Sequence, residues 1–254
     1  GKKEFFTFPT VDGTALNGYV IKPADFDPNK KYPVLMYVYG GPGSQNVLNS
    51  WGGTRDFWHQ ALVAEGYIVA CVDNRGTGAR VRDFKHATYA NLGNLETIDQ
   101  IEGAKYFAKQ SYVDSSRIGI WGWSYGGYMS SLSLMIGNDV FKTAIAVAPV
   151  TTWRYYDTIY TERYLQTPQL NPSGYDDNSP ISHVNKLKGN FLLIHGTGDD
   201  NVHFQNSVDL VDALIAADKQ FETFYYPNRN PGIYGGNTTW HLYSMMTDFL
   251  KRKL

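Results

Sequence analysis

Apolar positions along this chain follow two rhythms. Short, nearly unbroken apolar runs recur at Pro33 to Tyr39, Tyr67 to Asp73, Arg117 to Trp123, Thr143 to Ala148 and Phe191 to His195. Such runs suit strands buried on both faces of a parallel sheet. Between them lie stretches with helical patterning: Asp56 to Glu65, Leu95 to Lys109, Tyr125 to Ile136, Ser207 to Ala217 and Thr239 to Leu250. In the second of these, Ile98, Ile101, Ala104, Tyr106 and Ala108 stand at roughly helical spacing. Phe221 to Tyr226 adds a further strand. At the start, Glu4 to Phe8 and Ala15 to Lys22 flank Val11-Asp12-Gly13, which predicts a β-hairpin. Repeated alternation of strand and helix implies an α/β fold, a mostly parallel central sheet with helices on both faces. Thr151 to Lys188 breaks the rhythm and reads as an insertion over the sheet, a length of loop that usually serves function. No repeat, low-complexity tract or linker divides the chain, so residues 1–254 read as a single domain.

Composition narrows the classes. Hydrophobic residues make up 43% of the 254 and charged residues 19%, enough for a sizeable core and unlike a disordered chain. The formal net charge is -1 and no basic run could track phosphates, which argues against nucleic acid. No apolar stretch approaches the ~20 residues needed to cross a bilayer, so this domain predicts no membrane contact. Cys71 is the only cysteine, which rules out an intrachain disulfide, and its place in an apolar run marks a buried structural thiol. No signal peptide is present, and Gly1 ahead of Lys2-Lys3 reads as an expression remnant. Nothing in the sequence calls for a cofactor or a metal.

The chemistry concentrates at Gly122-Trp123-Ser124-Tyr125-Gly126-Gly127, a G-x-S-x-G match. Strand Arg117 to Trp123 runs straight into it and a helix of small residues follows, the context of a nucleophile elbow. Glycines are needed because the serine sits on a strained strand-to-helix turn where flanking side chains would clash. The helix N-terminus behind Ser124 favours negative charge developing there. In such elbows the backbone N–H after the nucleophile, here Tyr125, is one oxyanion donor, and a loop after an early strand supplies another. That loop is Tyr39-Gly40-Gly41-Pro42-Gly43. The acid of a Ser, Asp, His order belongs at the end of a later strand, where Asp199 and Asp200 are both candidates by spacing. Its task is to orient an imidazole and stabilise it once protonated.

Taken together, these residues resemble the prolyl oligopeptidase family of serine peptidases, and within it the dipeptidyl peptidase IV branch. The resemblance rests on Trp121-Gly122-Trp123-Ser124-Tyr125-Gly126-Gly127-Tyr128, Ala146-Val147-Ala148-Pro149-Val150, Tyr155-Tyr156-Asp157 and Tyr160-Thr161-Glu162-Arg163-Tyr164. His195-Gly196-Thr197 with Asp199-Asp200-Asn201-Val202-His203-Phe204 extends it over nearly the whole chain. It implies Ser124 as nucleophile, Asp199 rather than Asp200 as the acid, and the Tyr39 hydroxyl as second oxyanion donor. It implies a proline-sized pocket from Tyr125, Val150, Trp153, Tyr156, Tyr160 and Val202, with Asn201 meeting the substrate backbone. Aromatic faces hold a flat apolar pyrrolidine well, and Thr151 to Tyr164 is dense in Trp and Tyr. The expected substrate is a peptide with proline ahead of the scissile bond, the expected assembly a homodimer through Phe221 to Tyr226 and Thr239 to Leu250. The family also suggests a periplasmic, extracellular or membrane-anchored parent protein.

Two departures stand out. The family's N-terminal β-propeller has no counterpart in this chain, which reads as the hydrolase portion alone. The family also places its catalytic histidine just before Gly-Ile in the loop after the strand matched by Phe221 to Tyr226. This chain has Asn228-Arg229-Asn230-Pro231-Gly232-Ile233, so Pro231 occupies the histidine position. None of the six histidines is an obvious substitute. The resulting expectation is a peptidase cutting after proline, impaired by Pro231. Its rivals are an acyl-peptide hydrolase or esterase of the same fold and a catalytically silent binding module.

Overall fold

A computed structural model describes residues 1–254. The chain opens on the hairpin β1 (Lys3–Pro9) and β2 (Ala15–Ile21), paired in antiparallel register from Lys3 opposite Ile21 to Pro9 opposite Ala15. There follow β3 (Tyr32–Val38), α1 (Thr54–Ala64), β4 (Ile68–Asp73), α2 (Arg82–His86), α3 (Asn94–Ala108), β5 (Val113–Trp123) and α4 (Tyr125–Ile136). Then come β6 (Thr143–Val147), α5 (Thr158–Leu165), α6 (Pro172–Asp176), β7 (Asn190–Gly196), α7 (Gln205–Ala216), β8 (Glu222–Tyr226) and α8 (Thr238–Lys253). One sheet holds all eight strands in the order β1-β2-β4-β3-β5-β6-β7-β8, parallel from β4 onward. This is the mostly parallel α/β architecture that the alternation predicts, and with the strand-to-helix elbow at Ser124 it is an α/β-hydrolase fold.

Burial follows the period of two along each central strand. In β3, Val34, Met36 and Val38 join the core on the α3, α4 and α7 side, while Leu35 and Tyr37 join the core beneath α1 and α8. Both cores are closed, so the central strands carry no solvent face. β8 lies at the sheet edge and is only partly buried, with Phe224 exposed.

Three elements differ from the sequence expectation. The charged five-residue helix α2 buries only Phe84, too little periodicity to announce a helix. The segment from Thr151 to Lys188 is not an open loop. It folds into 3-10 turns at Trp153–Tyr155 and Pro180–Lys186 with α5 and α6 between them, and the second turn packs on α4 and α7. In α3 the apolar spacing holds for Ala104, which is buried, and for Ile101, Tyr106 and Ala108, which pack on the core, but Ile98 is exposed, whereas Glu96, Thr97, Asp99 and Gln100 are all buried.

Candidate active site

The parallel strands deliver their C-terminal ends to one edge of the sheet, where β5 turns into α4 at Ser124. Ser124 stands at φ 57 and ψ -115, outside the regions that a serine ordinarily occupies. Two backbone bonds hold it there: its N–H donates to the Val147 carbonyl at 2.9 Å, and its own carbonyl accepts from the Tyr128 N–H at 3.0 Å. Glycine is obligatory at 126, because a Cβ there would lie far inside van der Waals contact of the Val38 carbonyl oxygen. The small residues after Ser124 let α4 run buried on all sides between the sheet and the insertion.

Seven of the side chains singled out from the sequence line one narrow slot: Tyr39, Ser124, Tyr125, Val150, Trp153, Tyr156 and Tyr160. Its walls are aromatic. Trp153 stacks on Tyr160 at 6.0 Å between centroids, and Tyr156 meets both edge-on at 5.8 and 5.3 Å. Asn206 pins the strand exit that carries Val150, accepting from the Thr151 N–H at 3.0 Å while its carbonyl takes the Thr151 hydroxyl at 2.7 Å. Burial raises the Tyr39 and Tyr160 hydroxyls above the usual phenol range, so both are protonated donors at neutral pH. Val202 is buried and is not among the side chains that line the slot. Asn201 is exposed at the rim, where its Oδ1 accepts from the Tyr156 hydroxyl at 3.1 Å.

Burial separates the two acid candidates. Asp200 is exposed, whereas Asp199 is buried and its Oδ1 accepts the Asn201 and Val202 amides at 3.0 and 2.9 Å. Its Oδ2 lies 3.1 Å from Nε2 of His195, which also faces the Val202 carbonyl at 2.8 Å. Two acceptors at Nε2 put the ring proton there, and the Ser207 hydroxyl serves Nδ1 at 2.6 Å. His195 therefore holds the acid turn in place. Sequence reading missed this partner, although its four-residue spacing from Asp199 was a usable signal.

The loop after β8 closes the site. Arg229 O accepts the Gly198 N–H at 3.0 Å and Thr197 Oγ1 accepts the Asn228 N–H at 2.8 Å, which seats the loop on the acid turn. The Trp123 indole N–H donates to the Pro231 carbonyl at 3.0 Å, which brings Pro231 beside the residue preceding Ser124. The loop after β8 thus touches both the acid turn and the residue preceding Ser124. A proline side chain offers neither a donor nor an acceptor.

Of the other five histidines, three have hydrogen-bond partners away from the slot. His59 is buried between α1 and the sheet, accepts the Trp121 indole at 3.0 Å, and burial depresses it to about 3. His241 pairs with the Tyr226 hydroxyl at 2.6 Å and packs on Phe224 at the sheet edge. His183 bonds the Asp177 carbonyl at 2.6 Å, and His203 is exposed ahead of α7. His86 lines a neighbouring cavity of about 600 Å³ with Lys85, Arg163 and Tyr164, a cationic recess that the sequence patterning did not disclose.

Behind the slot lies another group that sequence reading missed. The Tyr125 hydroxyl donates to Oε2 of Glu96 at 2.6 Å, and the Gly93 N–H reaches the same oxygen at 2.7 Å. Burial pushes this carboxyl up to about 7, with those two hydrogen bonds pulling the other way.

Comparison with known proteins bears on the family and the fold. The model of the family described as "Prolyl oligopeptidase family" matches residues 54–254. A relative from Coccidioides posadasii, described as "Probable dipeptidyl-aminopeptidase B", is 47% identical over 245 residues, covering 95% of this chain and 26% of its own length. One of the same description from Paracoccidioides brasiliensis is 46% identical over 253 residues, covering 98% and 27%. The crystal structure of Porphyromonas gingivalis dipeptidyl peptidase 4 superposes with a TM-score of 0.96 at 48% identity, covering 99% of this chain and 35% of that one. The chain thus spans about a quarter of the length of the curated relatives it matches.

Proposed function

This chain belongs to the prolyl oligopeptidase family, and from that premise we propose that it is the acyl-transfer domain of an exopeptidase that cleaves after proline. In this reading Ser124 attacks the scissile carbonyl, and the Tyr125 N–H and Tyr39 hydroxyl receive the oxyanion. Asp199 is the acid, and Val150, Trp153, Tyr156 and Tyr160 clasp the pyrrolidine ring, with Asn201 meeting the substrate main chain. Residues 1–254 then act as one catalytic unit, and the remainder of a longer protein would grip the substrate amino terminus. The carrying observation is that Ser124 lines an aromatic slot while the Pro231 carbonyl takes the indole N–H of the neighbouring Trp123. Pro231 leaves the serine without a base, so the chain binds proline-like ligands without turning substrates over at a useful rate. That same residue favours a second reading, a silent binding module.

Calorimetry with a pyrrolidine ligand that carries no reactive group tests the pocket. Weak saturable binding is expected, and Tyr156→Ala with Tyr160→Ala should lower affinity by at least about tenfold. Each aromatic contact contributes about 0.5–1.5 kcal/mol beyond the area it buries. Equal binding by the double variant would remove the pocket assignment.

The assembly in this reading is a two-fold dimer along β8 and α8, since isologous pairs are the commonest oligomers. Phe224 on the edge strand and Trp240 on α8 are exposed there, Trp240 at 79%. Light scattering at tens of micromolar is expected to give twice the 28.6 kDa chain mass. A clean monomer counts against the dimer.

A further inference from the structure

We infer that Glu96 and Gln100, one turn apart on the inner face of α3, are positioning residues that hold the two sides of the oxyanion hole at a fixed separation. The inference rests on the reading of Ser124, Tyr39 and Tyr125 given above. Residues four apart on a helix project from the same face. Glu96 takes the Tyr125 hydroxyl at 2.6 Å and so anchors the far end of the side chain whose N–H heads α4. Gln100 donates to the Asn74 Oδ1 at 3.0 Å, and the Asn74 amide donates to the Gly40 carbonyl at 3.0 Å. Gly40 directly follows Tyr39. A single rigid helix therefore reaches the residue that carries one donor through one hydrogen bond, and the residue next to the other through two. Glu96, Gln100 and Asn74 are 0% exposed and Tyr125 is 2% exposed, so both chains of bonds are shut off from bulk solvent.

Stability alone does not account for these side chains. Burying a carboxyl and an amide is costly unless each polar atom is satisfied. Here Oε1 of Glu96 and Oε1 of Gln100 both lack a partner. Burial raises the Glu96 carboxyl toward neutrality, a further mark of an expensive environment. Glu96 does cap α3 through the Gly93 N–H at 2.7 Å, but a leucine would fill the same volume without the desolvation. Gln100 also takes part in no cap: its second bond goes to the Val72 carbonyl at 2.9 Å, at the end of β4.

The test compares two ligands that share one ring, an aminoacyl-pyrrolidine and its counterpart with a boronic acid at the ring carbon. Only the second forms a bond: the Ser124 oxygen adds to trigonal boron, its proton passes to water, and boron becomes a tetrahedral anion with one oxygen in the oxyanion position. The ratio of the two affinities reports the oxyanion hole and cancels the pocket. This chain should favour the boronate at least tenfold, and Ser124→Ala should abolish the preference. Glu96→Leu and Gln100→Leu should each cut the ratio by about tenfold, less than outright loss of an oxyanion donor, which costs about 10²–10³. Binding of the plain pyrrolidine should stay within twofold. Glu96→Gln, which keeps a carbonyl for the Tyr125 hydroxyl, should retain the ratio. A purely structural role would lower melting temperature and leave the ratio alone, and that result overturns the inference. Should Glu96→Leu not fold, Tyr125→Phe removes the same bond by one atom and decides the matter. A boronate preference that is absent, or that survives Ser124→Ala, overturns the reading of Ser124 itself and this inference with it.

Discussion

Pro231→His is expected to raise hydrolysis of a prolyl p-nitroanilide substrate by several orders of magnitude. A serine hydroxyl is a weak nucleophile at its own pKa and needs a neighbour to take its proton. Triad members act as a unit, and loss of the base in a comparable enzyme costs on the order of 10⁶ in kcat. An intact oxyanion hole leaves about 10³- to 10⁴-fold over water, too slow for a peptidase. The loop is suited to receive the imidazole. Its link to the elbow uses the main-chain carbonyl of residue 231, which accepts the Trp123 N–H at 3.0 Å, so any side chain keeps that anchor. Asn230 shapes the turn by accepting the Gly232 and Ile233 amides, through its side chain at 3.1 Å and its carbonyl at 3.1 Å. Proline fixes its own φ and biases Asn230 toward an extended backbone, so recovery can fall short of the full factor. Steady-state rates of both chains, each with and without Ser124→Ala, make the measurement. Turnover near ~10 s⁻¹ by the unaltered chain, lost on Ser124→Ala, would show that another histidine serves as base.

Gly126→Ala is expected to lower the melting temperature by about 10 °C or more. The added methyl would overlap the Val38 carbonyl oxygen and approach Val38 C at 3.1 Å and Tyr39 Cα at 3.2 Å. All three are backbone atoms at the end of β3, so no rotamer change relieves the overlap. α4 cannot recede, because its residues from Tyr125 to Met135 are all buried. Overpacking against backbone that cannot move lies at or beyond the upper end of the usual range, about 3 kcal/mol, and each kcal/mol shifts the midpoint of a chain this size by about 2–4 °C. A thermal melt followed by circular dichroism reads the shift directly. A change under about 3 °C would mean that α4 slides as a unit and that the contact is not what demands glycine.

Much of this arrangement was legible before any coordinates. Central strands declared themselves because both faces are buried, and the elbow because glycine, serine and glycine must stand at fixed spacing. β5 begins at Val113, earlier than its apolar run, since Asp114 to Arg117 is a solvent-facing start that carries no hydrophobic signal. Spacing left Asp199 and Asp200 equivalent and only the family resemblance chose Asp199; the burial and the two backbone amides that set it apart from Asp200 are not encoded in spacing. α3 misleads in the opposite way. Its periodic isoleucine at 98 faces water while its acids and amide face inward, because the neighbours that satisfy them lie far away in the chain, at Tyr125 and Asn74. Polar residues held inside by long-range partners are invisible to a periodicity argument.

The conformation of Ser124 also sets stability against reactivity. A non-glycine residue held at φ 57 and ψ -115 carries strain of about 1–3 kcal/mol, which glycine would relieve. The Val147 and Tyr128 backbone bonds offset that strain, so the elbow is where the chain gives up stability to hold a hydroxyl against the aromatic slot.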